Sequence, residues 1–309
     1  MAFTAKDVAT LRERTSCGMM DCKKALTEAD GDMEKAIDLL REKGLAASAK
    51  KAGRIAAEGT VFALVDNEKN SGVVIEVNAE TDFVAKNADF MAFVEGCAKT
   101  VVECNPADVD ALAECKFDGS DMTVADMLRE NILTIGENIK IRRFQKYDGV
   151  VTSYVHAGGK IGVLVKFDTT AEVAAKDEFK AYAKDIAMQI AAVNPQYLCP
   201  DCVPAEVFEK EKSIRIEQLK NDPKNANKPE NIIEKIVSGK MGKFYEEVCL
   251  LNQTFVKDND VNVAQYTEKT AKALGGDIKI VEYVRFEKGE GLQKREDDFA
   301  AEVAAMAGN

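Results

Sequence analysis

The chain has 309 residues, 42 of them Lys or Arg and 53 Asp or Glu, for a net charge of −11 with one His and no Trp. A nucleic-acid binder that tracks phosphates presents a basic face, so this balance argues against one, and any general-base or metal chemistry by histidine would rest on His156 alone. A hydrophobic share of 46% beside 31% charge describes an ordered globular chain, long enough for on the order of two domains.

The first 30 residues are punctuated by Lys6, Asp7, Arg12, Glu13, Arg14, Asp21, Lys23 and Lys24, so no apolar signal core follows a basic start. No stretch reaches the roughly 18 uninterrupted apolar residues of a membrane span. Eight scattered cysteines without a secretion signal read as reduced thiols, and a cytoplasmic protein is expected. The acidity is uneven. Residues 1–54 hold 11 basic and 9 acidic side chains, whereas residues 66–130 hold 5 and 15. That segment is either a solvated acidic surface or a field that steers the chain toward a basic partner.

In chain order, Val8 and Leu11 predict a short amphipathic helix that ends before Ser16-Cys17-Gly18. Met19, Met20, Cys22 and Leu26 predict a second, broken at Ala29-Asp30-Gly31. Asp32 is placed to cap a third, in which Met33, Ile37 and Leu40 recur at helical spacing and Gly44 is expected to stop the helix. Residues 45–58, rich in Ala, Lys and small side chains, read as a linker of helix-forming composition.

Beyond the linker the sequence repeats itself. At an offset of 90, Glu58-Gly59-Thr60-Val61 lies over Asp148-Gly149-Val150-Val151, and Gly72-Val73-Val74-Ile75 over Gly162-Val163-Leu164-Val165. The same offset sets Lys86 opposite Lys176; a one-residue slip then aligns Phe90, Ala92 and Phe93 with Phe179, Ala181 and Tyr182. Gly136-Glu137-Asn138-Ile139-Lys140-Ile141 closes the first copy as Gly275-Gly276-Asp277-Ile278-Lys279-Ile280 closes the second. Each copy reads as two strands, helical segments and a returning strand, so the expected fold class is α+β, with two duplicated subdomains built on small antiparallel sheets. Inside the second copy, residues 203–250 predict an antiparallel helical hairpin, with Ile233, Val237, Met241, Phe244 and Val248 on one face of its second helix and Val207, Ile214 and Leu219 giving the first a thinner stripe. Phe299, Val303 and Met306 align on a final amphipathic helix. The expected division is a helical module with linker at 1–54, a first core subdomain at 55–146, a second at 147–202 and 251–286, the hairpin arm at 203–250 and a C-terminal module at 287–309.

Positions at which two copies of one unit differ are candidates for specialisation. The turn after the second strand reads Asn78-Ala79-Glu80-Thr81-Asp82-Phe83-Val84-Ala85-Lys86 in one copy and Asp168-Thr169-Thr170-Ala171-Glu172-Val173-Ala174-Ala175-Lys176 in the other, placing Phe83 opposite Val173. Two readings are open: Phe83 as a core filler with Asp82 as a charge at a helix start, or Phe83 as a protruding hot spot with Asp82 aimed at a partner.

Leu11-Arg12-Glu13-Arg14-Thr15, Gly18-Met19-Met20-Asp21-Cys22-Lys23-Lys24-Ala25-Leu26, Thr81-Asp82-Phe83-Val84-Ala85-Lys86, Ile135-Gly136-Glu137-Asn138-Ile139 and Arg285-Phe286-Glu287, with Asp298-Phe299-Ala300-Ala301-Glu302-Val303, closely resemble the bacterial translation elongation factor Ts family from end to end. That resemblance implies a guanine-nucleotide exchange factor for the GTPase elongation factor Tu. It implies that the N-terminal helices, similar to ubiquitin-associated domains, dock on the nucleotide-binding domain through Leu11, Arg12, Gly18, Met19 and Met20. Thr81, Asp82, Phe83 and Val84 would form a wedge that disturbs the Mg²⁺ and phosphate site and releases GDP. The loop with His156, Gly158 and Gly159 would grip another domain of the GTPase, and Phe299 and Val303 would lie on a helix that returns to the nucleotide domain. Related factors form one-to-one complexes and dimers of such complexes.

No covalent chemistry, cofactor or metal ligand set is expected, nor direct contact with nucleic acid or membrane. Cys199-Pro200-Asp201-Cys202 is a CxxC without a second pair, short of a zinc site. Gly158-Gly159-Lys160-Ile161-Gly162 lacks the spacing of a phosphate-binding loop and reads as a hairpin turn. Two other classes compete: an enzyme pairing His156 with a cysteine nucleophile, and a chaperone-like structural assembly factor without exchange activity.

Overall fold

The computed structural model describes residues 3–15, 17, 19–222 and 228–293, with backbone alone for 45–49. Mixed helix and strand, with small antiparallel sheets, makes the fold α+β. Three helices come first: α1 (Ala5–Thr15), α2 (Met19–Glu28) and α3 (Met33–Lys51). The first starts in a reciprocal cap: the Thr4 amide donates to Asp7 Oδ2 at 2.7 Å and the Asp7 amide to Thr4 Oγ1 at 3.3 Å. Asp32 caps α3 by accepting from the amides of Glu34 and Lys35, both at 3.1 Å.

The expected stop at Gly44 is overturned, because α3 continues to Lys51. Gly44 is buried, and a side chain there would meet the backbone and Cβ of Arg129, on the later helix α6 (Val124–Ile135). Gly44 therefore lies inside a helix that packs on α6 and is not a C-cap, and a Cβ there would make only ordinary van der Waals contact. At the far end Lys51 Nζ donates to the Ile132 carbonyl at 3.0 Å.

Strands β1 (Glu58–Asp66) and β2 (Ser71–Ala79) pair antiparallel without a register break, from Glu58 opposite Ala79 to Asp66 opposite Ser71. Helices α4 (Ala88–Cys104), α5 (Val109–Glu114) and α6 precede β3 (Lys140–Asp148), which joins the sheet in the order β1-β2-β3. The central strand β2 is buried along its whole length. Val73, Ile75, Val77 and Ala79, two residues apart, point into a core with Phe90, Phe93, Val94, Val101, Leu112 and Ile132. The opposite face carries Glu76, fully buried, which accepts from Arg142 Nη1 at 3.0 Å, Arg143 Nε at 2.6 Å, the Gly289 amide at 2.8 Å and Asn78 Nδ2 at 3.1 Å. Burial alone would raise the Glu76 carboxyl; the Gly289 amide, the two arginines and Asn78 outweigh it and hold it below its usual range.

The second copy repeats the plan. Strands β4 (Val150–His156), β5 (Ile161–Asp168) and, later, β8 (Lys279–Glu287) form a sheet in the order β4-β5-β8. Helices α7 (Ala171–Ala175) and α8 (Asp177–Val193) follow β5, and α8 buries Phe179, Tyr182, Ile186 and Ile190. The Tyr182 hydroxyl meets Thr267 Oγ1 at 2.8 Å, on α11 (Val263–Leu274). Gly59 and Gly149, paired by the repeat, share φ near 108° (108° and 107°), a left-handed value that favours glycine; at Gly59 a Cβ would collide with the Val77 carbonyl.

The arm consists of α9 (Ala205–Asn221) and α10 (Glu230–Val248). Ile233, Val237, Met241 and Phe244 are its buried face, and α9 meets them with Val207, Phe208, Ile216 and Leu219. Ile214, expected in that stripe, is exposed, because the face of α9 that packs runs through Phe208, Ile216 and Leu219 and leaves position 214 outside it. A short hairpin of β6 (Thr254–Phe255) and β7 (Asp258–Asn262) leads to α11.

Among the described residues the chain divides into two compact units. One gathers the residues up to Tyr147, Val155–Gly162 and those from Phe286 on; the other gathers Asp148–Tyr154 and Val163–Arg285. The break after Tyr147 lies one residue from the expected boundary, and Val155–Gly162 is grouped with the first unit. The tip of the β4-β5 hairpin groups with the first sheet, since the Val61 amide donates to the Gly159 carbonyl at 2.8 Å and a Cβ at Gly162 would meet Val61 and Val74.

Candidate functional site

The turn between β2 and α4 is built from its ends inward. Gly136, left-handed at φ 89°, terminates α6 and turns Glu137 toward this loop. The Glu137 carboxylate accepts from the amides of Glu80 (3.1 Å) and Thr81 (3.0 Å) and from the Thr81 hydroxyl (2.7 Å). Glu80 Oε1 in turn accepts from the Asn138 amide at 2.6 Å and from Arg54 Nη1 at 3.3 Å. On the far side, Val84 enters the core, and Asn87 Oδ1 caps α4 by accepting from the amides of Asp89 (2.8 Å) and Phe90 (3.2 Å).

Between these anchors lie Asp82 and Phe83. Phe83 is 80% exposed and helical in backbone, at φ −65° and ψ −44°. A side chain so exposed is not a core filler, which removes one of the two readings of the sequence. Asp82 receives Lys86 Nζ at 2.9 Å across one helical turn, and this hydrogen bond, with the lysine's charge, holds its carboxyl below the usual range. The turn therefore presents an aromatic ring beside a carboxylate, on a backbone fixed at both ends.

The two copies align differently here from what the sequence suggests. In the second, Thr170 Oγ1 accepts from the Val173 amide (3.3 Å), as Thr81 Oγ1 does from the Val84 amide (3.4 Å). Lys176 and Asn87 are the N-caps of α8 and α4, and both helices end in a left-handed Asn, 194 and 105. The one-residue slip thus lies before Thr81, not after Lys86. Val84 matches the buried Val173, and Phe83 stands where the second copy has the exposed Glu172. The expected pairings of Phe83 with Val173 and Lys86 with Lys176 are overturned, because the threonine caps fix the register.

The other candidates are scattered. Arg12, Met19 and Met20 are exposed, the two methionines at 55% and 63%. Arg12 and Met19 line a cleft of about 690 Å³ together with Phe93, Phe117 and Asn131. Leu11 is corrected: it is fully buried with Cys22, Leu26 and Leu40, so it holds the helices together and faces no partner. Ala157, Gly158 and Gly159 form a left-handed turn between β4 and β5, closed by the Lys160 amide on the His156 carbonyl at 3.1 Å. His156 and Gly158 are exposed, whereas Gly159 is buried against Thr60. Gly18, Phe299 and Val303 lie outside the described residues. Among the described residues the cysteines are free thiols, with Cys199 half-buried and Cys202 exposed, and no group of three or more His, Cys, Asp or Glu is placed to hold a metal ion. No helix among them is long and apolar enough to cross a membrane.

Sequence reasoning missed Glu137 as a determinant of the site. The signal was present: the repeat sets Glu137 opposite Gly276, a second sharp difference between the copies.

A sequence model of the family described as Elongation factor TS matches residues 80–290. The chain is 52% identical over 309 residues to a protein of Syntrophotalea carbinolica named Elongation factor Ts, covering 99% of both chains. It is 50% identical to the Elongation factor Ts of Trichlorobacter lovleyi, over 100% of this chain and 99% of that one, and 49% identical to that of Clostridium botulinum, over 99% of each. A match of this depth along nearly the whole length, with the pinned turn inside the family's span, leads to one conclusion: the chain belongs to the elongation factor Ts family.

Proposed function

We propose that this protein is a guanine-nucleotide exchange factor that binds elongation factor Tu carrying GDP and promotes GDP release by disturbing its Mg²⁺ and phosphate site. Membership of a translation elongation factor family supports the class of activity. The observation that carries the mechanism is Phe83, exposed at the apex of a turn anchored on both sides. Mg²⁺ requires a near-ideal octahedral shell of oxygens, so a small displacement of its supporting groups weakens metal and phosphate together. An aromatic ring supplies the wedge, and Asp82 adds a negative charge beside a site that holds anions. Coupling is reciprocal: by whatever factor the protein lowers GDP affinity, GDP lowers affinity for the protein.

In this reading Arg12, Met19 and Met20 dock on the nucleotide-binding domain, and the loop at His156 and Gly158 contacts a second domain of the GTPase. The C-terminal positions Phe299 and Val303 return to the first. The arm serves either the one-to-one complex or a dimer of complexes. No step makes or breaks a covalent bond, and the protein acts in the cytoplasm.

The test is stopped-flow release of a fluorescent GDP from elongation factor Tu. Acceleration on adding the protein is expected. Unchanged release would defeat the exchange reading and leave the structural assembly factor in its place. Acceleration that survives Asp82→Ala with Phe83→Ala would defeat the wedge alone.

A further inference from the structure

The structure assigns the orientation of the Asp82-Phe83 turn to a residue that does not reach its apex: we propose that Glu137 is a positioning residue for exchange, acting on the GTPase only through Thr81 and Phe83. This rests on the exchange reading and deepens it.

An exposed aromatic at the apex of a turn receives no packing from its own chain, so its direction is set at the ends of the turn. The trailing end is fixed by Val84 in the core and by the Asn87 cap. At the leading end the buried strand stops at Ala79, and neither residue between it and Asp82 is buried. Glu80 and Thr81 are both half-buried, and three donors from these two consecutive residues converge on one carboxylate, Glu137, 56 positions ahead in the chain. Hydrogen bonds to an ionised acceptor are shorter and stronger than neutral ones, and two backbone amides fix a peptide plane more tightly than a side-chain contact does.

The second copy supplies an independent comparison. There the position of Glu137 is Gly276, where a Cβ would run into Val173, and the loop is closed instead by Thr169 Oγ1 donating to the Asp277 carbonyl at 2.7 Å. That copy holds the same cap, Thr170 to Val173, but presents no exposed aromatic. The carboxylate clamp and the protruding ring thus occur together in one copy and are both missing from the other. A scaffold requirement common to the fold would appear in both.

The experiment measures GDP release from elongation factor Tu against concentration of the full-length factor, giving a plateau rate and a half-saturating concentration. Wild-type acceleration tests the exchange reading by itself. With that in hand, Glu137→Ala is expected to lower the plateau about tenfold, the loss of a charge-assisted contact, with the half-saturating concentration nearly unchanged because the remaining contacts persist. Glu137→Gln, whose amide oxygen still accepts one hydrogen bond, is expected to fall between. A variant that merely unfolds in part shows the reverse, a wild-type plateau reached at higher concentration. In a Phe83→Ala background, Glu137→Ala is expected to cause no further loss, since the group it positions is gone. An unchanged plateau in Glu137→Ala overturns the proposal, and so does an equal fractional loss in both backgrounds.

Discussion

Phe83 and Val84 are consecutive in the chain and opposite in environment: the phenyl ring is 80% exposed, while the valine, at 8%, is part of the core beneath the first sheet. Stability and activity therefore separate between neighbours. Phe83→Ala is expected to change unfolding free energy by less than about 0.5 kcal/mol, as for an exposed substitution, and to reduce GDP release from elongation factor Tu at least about tenfold. Val84→Ala is expected to cost about 1 to 2 kcal/mol by leaving a small void under the turn. Urea unfolding and release kinetics on the same preparations check both.

Glu76 makes stability fall in acid. Its carboxyl sits below the usual range because the Gly289 amide and both arginines favour the charged form over the opposing effect of burial. A depressed folded value means that the contribution is complete above the unfolded value near pH 4.3 and is lost as pH falls through the folded one. Glu76→Ala leaves Arg142 and Arg143 without their buried partner and is expected to cost about 3 kcal/mol. Urea midpoints measured from pH 7 to pH 3 should fall more steeply for wild type than for Glu76→Gln.

Glu130 acts with the opposite sign. It lines a cavity beside Thr15, Cys17 and Leu133, where burial pushes its carboxyl up to about 7; nearby Arg41 lowers it and Asp126 raises it. The folded state therefore holds a proton that the unfolded chain has released, so stability rises as pH drops from about 7 toward about 4.5 and is lost again as pH climbs. Glu130→Gln is expected to remove that slope and to raise the urea midpoint at pH 8. A midpoint that stays flat in wild type across this window contradicts the assignment.

The charge distribution predicts a kinetic asymmetry. Residues 66–130 hold 5 basic and 15 acidic side chains, and the exposed turn lies within them. Long-range attraction to a basic partner surface speeds encounter and is screened by salt, whereas close contacts are screened much less. Raising salt from 50 to 500 mM, about a threefold drop in Debye length, is expected to slow association with elongation factor Tu by about tenfold and dissociation by less than about twofold. Equal effects on both rates argue for a merely solvated acidic surface.

Much of this organisation is legible in the sequence because it is written in local patterns. Asp32 before a helical period, the alternation through Val73, Ile75 and Val77, and the stripe from Ile233 to Phe244 specify their elements within a few residues. What escapes is decided by contacts between distant segments. Gly44 has the composition of a helix end, yet the helix runs on through it and packs against Arg129. Ile214 has the right spacing from Val207, but the partner helix meets a neighbouring stripe. The identity of Lys86 with Lys176 conceals the slip that puts Phe83 opposite Glu172, and only the threonine caps reveal it. Glu137 shows the same limit, since its partners lie 56 and 57 residues back.

The unbroken helix α3 has a consequence for recognition. Arg12, Met19 and Met20 reach the remainder of their unit through a rod that is packed on α6 and pinned at Lys51, not through a flexible tether. Under the proposed docking, these residues and the turn at Phe83 are two contact patches held at one fixed spacing. A partner whose complementary sites match that spacing gains the second contact as an intramolecular event, at high effective concentration, and one whose sites do not match gains nothing from it. The frame thus works as a ruler: inserting residues into α3 would change which surfaces the turn at Phe83 can reach without altering any residue that touches them.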